Sequence, residues 1–104
     1  MKPEQLQVIL RNAGYYCVED SKGIFHIAEI EESDCVRGIA FKIIKEDSIW
    51  LIALYSARTY KCDKTSDISA IALDLLSGKY VAQGSIPYQL PQPFLDKYRI
   101  VQAN

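Results

Sequence analysis

The chain has 104 residues, of which 49% are hydrophobic, and its 12 basic and 13 acidic residues leave a formal net charge of −1. This length fits one domain over residues 1–104, and the ordinary share of apolar residues argues against a disordered chain. A near-neutral chain offers no electrostatic reason to bind nucleic acid. The longest apolar run, residues 49–55, is too short to cross a bilayer, so neither nucleic acid nor a membrane is the expected partner.

The first predicted element is a helix over residues 3–13. Pro3 suits the first turn of a helix, and Gly14 can adopt the left-handed conformation that ends one. A single apolar stripe at helical spacing comprises Leu6, Ile9, Leu10 and Ala13.

Four strands are predicted next. They cover residues 15–19, 24–30, 36–44 and 48–55. The sequence Asp-Ser-Lys-Gly at 20–23 has the composition of a hairpin turn, and the acidic run at 31–34 is predicted to be a loop. Strands joined in this way by short polar connections form an antiparallel meander.

The last of these strands, residues 48–55, is apolar on both faces. Because successive side chains of a strand point to opposite sides, Trp50, Ile52 and Leu54 share one face. The opposite face carries Ile49, Leu51, Ala53 and Tyr55. Both faces must be kept from water. Packing of a helix on the sheet would bury one face, and the other needs the second helix, the C-terminal segment or another chain.

The second half of the chain is predicted to contain one further helix, over residues 67–77, with Thr65 or Ser66 as its N-cap. Leu73 falls outside the apolar stripe of this helix and widens its apolar surface. Residues 59–62 are predicted to form a loop or a strand extension. Residues 79–86 are strand-like, three prolines then favour an extended segment, and residues 94–101 are predicted to form a helical turn with an extended end.

Together these elements predict an α+β fold with an N-terminal helix, a four-stranded antiparallel meander, a second helix packed on the sheet and an extended, Pro-punctuated C-terminal segment. The opening helix, the Gly14-Tyr15 corner and the meander resemble, in their broad order, the secretion-chaperone-like and cystatin-like α+β folds. The resemblance implies an architecture only, because a fold does not carry function with it.

One small group of residues could support chemistry. Cys17 and His26 fall on the two strands of the first hairpin, where a nucleophile and a base could meet, and Glu29 shares a strand face with Phe25 and Ile27. These residues define the alternative hypothesis, a small enzyme or ligand-binding domain with a pocket between sheet and helix. Buried free cysteines are commonly core residues, so a non-enzyme is favoured and no catalytic residue is assigned.

Cofactor and metal binding find no support in the sequence. Its three cysteines are odd in number and widely spaced, which favours reduced thiols over a disulfide framework or a zinc site. No Gly-rich phosphate-binding loop is present, so no cofactor is predicted. The polar start of the chain lacks the apolar core of a secretory signal, and a cytoplasmic location is expected.

The favoured function is a small non-catalytic protein-interaction module, either an adaptor or a chaperone-like protein, which binds a protein partner or associates with itself as a homodimer. Seven tyrosines support it, because tyrosine is enriched at protein interfaces. The C-terminal segment could cover its own sheet or that of a neighbour, and the first is favoured. The predicted interface comprises Trp50, Ile52, Leu54, Leu73, Tyr88, Leu90 and Phe94.

Overall fold

An antiparallel sheet with three helices on one side makes up the computed structural model, which describes residues 3–32 and 35–103. The elements in chain order are α1 (Pro3–Asn12), β1 (Tyr16–Glu19), β2 (Phe25–Glu32), β3 (Cys35–Lys45), β4 (Ile49–Leu54), β5 (Thr59–Asp63), α2 (Ile68–Leu76), α3 (Gln92–Tyr98) and β6 (Val101–Gln102). The predicted α+β class is confirmed, and so is the antiparallel sheet.

The predicted number of four strands is wrong, because six strands lie side by side in the order β1 to β6 within the described residues. The fifth strand is the segment predicted as a loop or strand extension. It alternates inward and outward residues, with Tyr60 and Cys62 buried, and it pairs with β4 through Ile52 and Trp50. The sixth strand has only two residues, and its pairing with β5 depends on contacts distant in sequence.

The first two residues of the acidic run at 31–34, predicted to be a loop, belong to strand β2 instead. Strand β2 continues through Glu32, and β3 begins at Cys35. Ser33 and Asp34 lie outside the described residues.

The first hairpin turn, in contrast, forms at the predicted place. The N–H of Asp20 donates to the carbonyl of Ile24 at 2.9 Å, and the carboxylate of Asp20 accepts the N–H groups of Lys22 and Ile24. Gly23 completes the turn with φ of +81°, a conformation that glycine adopts without steric cost.

The N-cap of helix α2 lies one or two residues after the predicted N-cap, Thr65 or Ser66. Asp67 is the N-cap, and its carboxylate accepts the N–H of Ala70 and the hydroxyl of Ser69. Thr65 is engaged elsewhere, since both its N–H and its hydroxyl donate to Asp63 at 2.7 Å. The cap therefore falls to the next acidic residue.

Residues 79–86, predicted to be strand-like, form turns and irregular backbone, which continue to residue 91. Hydrogen bonds attach this segment to the sheet at several points: the N–H of Leu90 donates to the Tyr60 hydroxyl, and the Ser56 hydroxyl donates to the Tyr88 carbonyl. Leu90 and Phe94 are buried in the core of the same chain. The C-terminal segment thus covers the sheet of its own chain.

Helix α3 is held against α2 by the carboxylate of Asp74. This carboxylate accepts the Lys97 ammonium at 2.8 Å and the Tyr98 hydroxyl at 2.6 Å. The hydrogen bond from Lys97 is the main cause that lowers the pKa of Asp74, and the bond from Tyr98 adds to it. Phe94 packs edge-on between the rings of Tyr80 and Tyr98, with ring centroids 5.2 Å apart in each pair.

We expect Asp74→Asn to destabilise the protein at neutral pH and to have a smaller effect on its stability in acid. Because the pKa of Asp74 is lower in the folded than in the unfolded chain, its ionised form stabilises the fold above about pH 4, and this contribution is lost as the pH falls through the folded-state value. Urea unfolding of both proteins should therefore show a difference in stability that is largest near neutral pH and narrows in acid. A difference that stays constant with pH would contradict the role assigned to the carboxylate.

The two faces of the sheet differ because all three helices pack on the same one. The face toward the helices, the inner face, carries two neighbouring rows of register partners across the strands. One row is Cys17, Ile27, Phe41 and Leu54, and the other is Phe25, Ile43, Ile52 and Tyr60. The helices contribute Leu6 and Leu10, Ile71 and Leu75, and Phe94 to the same core. Among the described residues, no helix packs on the other side of the sheet.

Candidate protein-binding face

The side of the sheet that faces away from the helices is called the outer face. The register defines its residues as Tyr16 and Val18 of β1, His26 and Ala28 of β2, Ala40, Lys42 and Ile44 of β3, Ile49, Leu51 and Ala53 of β4, Thr59, Lys61 and Asp63 of β5, and Val101 of β6. Tyr55 follows at the end of β4.

The middle of the outer face is apolar. Ile44 and Leu51 are cross-strand partners, and both are half-buried, as are Ile49 and Ala53 beside them. Val101 of β6, the register partner of Lys61, is 52% exposed. A sheet face that only meets water usually alternates polar residues with the inward apolar ones. The outer face of β4 instead keeps aliphatic side chains within reach of solvent.

Two tyrosines lie at one end of the outer face. Tyr16 is the register partner of Ala28, which in turn pairs with Ala40, and both alanines are buried. Tyr55 lies close enough to Tyr16 for the second phenol to help raise its pKa, although burial is the larger cause. The small alanine side chains leave room for the two tyrosine rings above this part of the sheet.

Tyr88 lies near the turn that connects β4 to β5, beside this end of the sheet. The Ser56 hydroxyl donates to the Tyr88 carbonyl at 2.9 Å, so Tyr88 lies beside the turn that carries Tyr55. Tyr88 is 75% exposed and Ile86 is 63% exposed, while Pro87 between them is buried and anchors the segment. These exposed apolar side chains are therefore presented by an anchored backbone.

Most of the predicted interface residues lie in the core. Trp50, Ile52, Leu54, Leu90 and Phe94 are each at most 4% exposed. Leu73 is half-buried and packs against the core, and only Tyr88 of the seven is exposed. The sequence divided β4 correctly into two apolar faces, but the alternation of side chains cannot tell which face the helices will cover.

The residues of the alternative pocket do not converge. Cys17 pairs with Ile27 on the inner face, whereas His26 pairs with Val18 on the outer face. Burial raises the pKa of the Cys17 thiol to about 11, which leaves little thiolate near neutral pH. The Nε2–H of His26 donates to the Asp20 carboxylate at 2.8 Å, and this hydrogen bond is the main cause that lowers the pKa of Asp20 to about 2.

Glu29, the third pocket residue, has a structural contact instead. Gly38 and Ile39 of β3 together oppose the single residue Glu29 of β2, so β3 contains a bulge. Gly38 lies in this bulge with φ of +76°. The Glu29 carboxylate accepts the N–H of Ile39 at 3.1 Å and that of Gly84 at 3.0 Å. It therefore joins the bulge to the C-terminal segment.

The basic residues of the β5 region also separate. Lys61 lies on the outer face, whereas the Lys64 ammonium lies 5.3 Å from the centroid of the Trp50 ring, and Arg58 lies in the turn before β5. They do not form the single stripe that a nucleic-acid groove would need.

Within residues 3–32 and 35–103, no three His, Cys, Asp or Glu side chains are grouped as they would be around a metal ion. None of the helices in these ranges has the length and apolar character that crossing a bilayer requires.

The fold and the outer face define an α+β protein whose sheet is covered by helices on one side and open on the other. Comparison with known proteins found no matching family model, no matching curated protein and no matching solved structure.

Proposed function

We propose that this protein is a small non-catalytic interaction module, an adaptor or chaperone-like protein of the cytoplasm, that binds a protein partner through the outer face. The observation that carries the proposal is the apolar centre of the outer face, formed by Ile44 and Leu51. Apolar side chains held in a contiguous patch are typical of surfaces that become buried against another protein. The odd number of cysteines supports a reducing compartment.

The edges of the sheet are poorer binding sites than its face. The free edge of β1 is occupied by α1, since Arg11 donates to the Cys17 carbonyl at 3.0 Å and Gln7 accepts the Glu19 N–H at 3.1 Å. At the other edge, β6 is two residues long. Covered and very short edges discourage the addition of a further strand. A partner would therefore contact side chains of the outer face rather than backbone groups at an edge.

Site-specific photo-crosslinking in the native cell tests the proposal. A benzophenone amino acid replaces Leu51 at the centre of the outer face in one variant, and replaces Ser77, an exposed residue at the end of α2, in the control. We expect discrete protein adducts from position 51 that are absent from position 77, with the partner identified by mass spectrometry. The Ser77 variant controls for random collisions, because it exposes the same group on the opposite side of the molecule.

Two outcomes would count against the proposal. Position 51 could yield no protein adduct although the variant folds and accumulates, or both positions could yield the same adducts. In either case the outer face does not bind a protein in the cell.

A further inference from the structure

Two lysines flank the apolar centre of the outer face. Lys61 is the register partner of Leu51 on one side of β4, and Lys42 is the register partner of Ala53 on the other. The Lys42 ammonium lies 5.2 Å from the centroid of the Tyr55 ring, a contact that leaves its charge without a counterion. Within the described residues, neither ammonium forms an ion pair with a carboxylate.

Two aspartates, Asp63 at the end of β5 and Asp20 in the first hairpin turn, accept hydrogen bonds within turns. Asp63 accepts both the N–H and the hydroxyl of Thr65 at 2.7 Å, and the N–H of Thr65 is the main cause that lowers its pKa. Asp20 is bound by His26 and by backbone N–H groups of its own hairpin. Asp63 keeps its negative charge, so the outer-face residues named above carry two lysines against one carboxylate, and the outer face combines an apolar centre with a net positive charge.

From this charge pattern we infer that the partner is an acidic protein segment, which places apolar side chains on Leu51 and carboxylates opposite Lys42 and Lys61. The inference depends on the proposed function and specifies the chemistry of its partner. Complementary charges around an apolar contact accelerate association and select the partner, because a like charge at the same place is repelled.

A second copy of the chain is a poorer occupant of this surface. Two copies related by a two-fold axis would bring the same patch of each against the other. The four lysines of the two copies would then lie at one interface, with only the Asp63 carboxylate of each copy to balance them. A nucleic acid would match the lysines but would leave Leu51 without an aliphatic contact. An anionic lipid surface would contact both, but it gains no overall attraction from a chain whose net charge is −1.

Selection from a library of random peptides displayed on phage tests the inference on the purified, full-length chain. Three proteins are compared: the wild type, the K42E/K61E variant and the matched control K45E/K79E. The control has the same net charge as K42E/K61E, but its substitutions are at exposed lysines away from the outer face. Peptides enriched on the wild type should be acidic and apolar relative to the input library. The best of them should bind K42E/K61E at least about tenfold more weakly, and K45E/K79E within about twofold of the wild type, in low salt.

Each other outcome overturns the inference. Enriched peptides could be neutral or basic, no peptide could be enriched, or K42E/K61E could bind the acidic peptides as well as the wild type does. Light scattering could show a dimer that Leu51→Lys dissociates, which would keep the proposed function but identify the partner as a second copy. Vesicles of anionic lipid or an oligonucleotide could bind more tightly than the acidic peptides, with the same dependence on the two lysines. If the benzophenone amino acid at position 51 forms no protein adduct in the native cell, the proposed function itself is contradicted.

Discussion

Ile52→Ala is expected to lower the free energy of unfolding by about 3 kcal/mol, whereas Leu51→Ala should lower it by about 1 kcal/mol or less. The two residues are neighbours on β4, similar in volume, and differ in the face to which they point. Ile52 is fully buried among the helices and its truncation leaves a cavity, while Leu51 is half-buried on the outer face and its truncation leaves a surface that solvent can reach. Urea unfolding of the purified variants measures both values.

The same pair separates stability from binding. Leu51→Ala should weaken partner binding, although the protein remains almost as stable as the wild type. Equal losses of stability at the two positions would mean that the outer face is as well covered as the inner one, and the proposed binding surface would then have no physical basis.

Gly38→Ala has the second large expected effect, a destabilisation of about 3 kcal/mol. Part of it, about 1–2 kcal/mol, arises because an alanine at φ of +76° brings its Cβ against the backbone. The rest arises because that Cβ would clash with a carboxylate oxygen of Glu29, which must then move away from the N–H groups of Ile39 and Gly84. Leaving such groups without partners costs about 1–3 kcal/mol.

Gly14→Ala is the control for the backbone contribution alone. Its φ is +92°, but an added Cβ would meet no atom within 4 Å, so only the conformational cost should appear. Thermal or urea unfolding should therefore rank Gly38→Ala clearly below Gly14→Ala in stability. Gly38→Ala in a Glu29→Ala background should cost less than in the wild type, and an unchanged cost there would rule out the clash with the carboxylate.

Local sequence signals predicted the elements that depend on local interactions. The stripe from Leu6 to Ala13, followed by Gly14, predicted α1 to within one residue, and the turn composition at 20–23 predicted the first hairpin. Strand β5 was harder to recognise, because its charged outward residues resemble a loop until β4 supplies a partner. The two-residue β6 has no local signal at all, since it is a strand only through its hydrogen bonds with β5.

The candidate site divides in the same way. From the sequence it followed that β4 is apolar on both sides, and that Ile49, Leu51, Ala53 and Tyr55 share one of them. Which side is covered depended on the path of the chain after β5, because an alternating pattern is the same whichever face points inward. Only the tertiary structure placed α2, α3 and the C-terminal segment over Trp50 and Ile52, and only the strand register brought Lys42 and Lys61 to either side of Leu51. Pairing of this kind is decided by long-range contacts, which no local pattern of residues encodes.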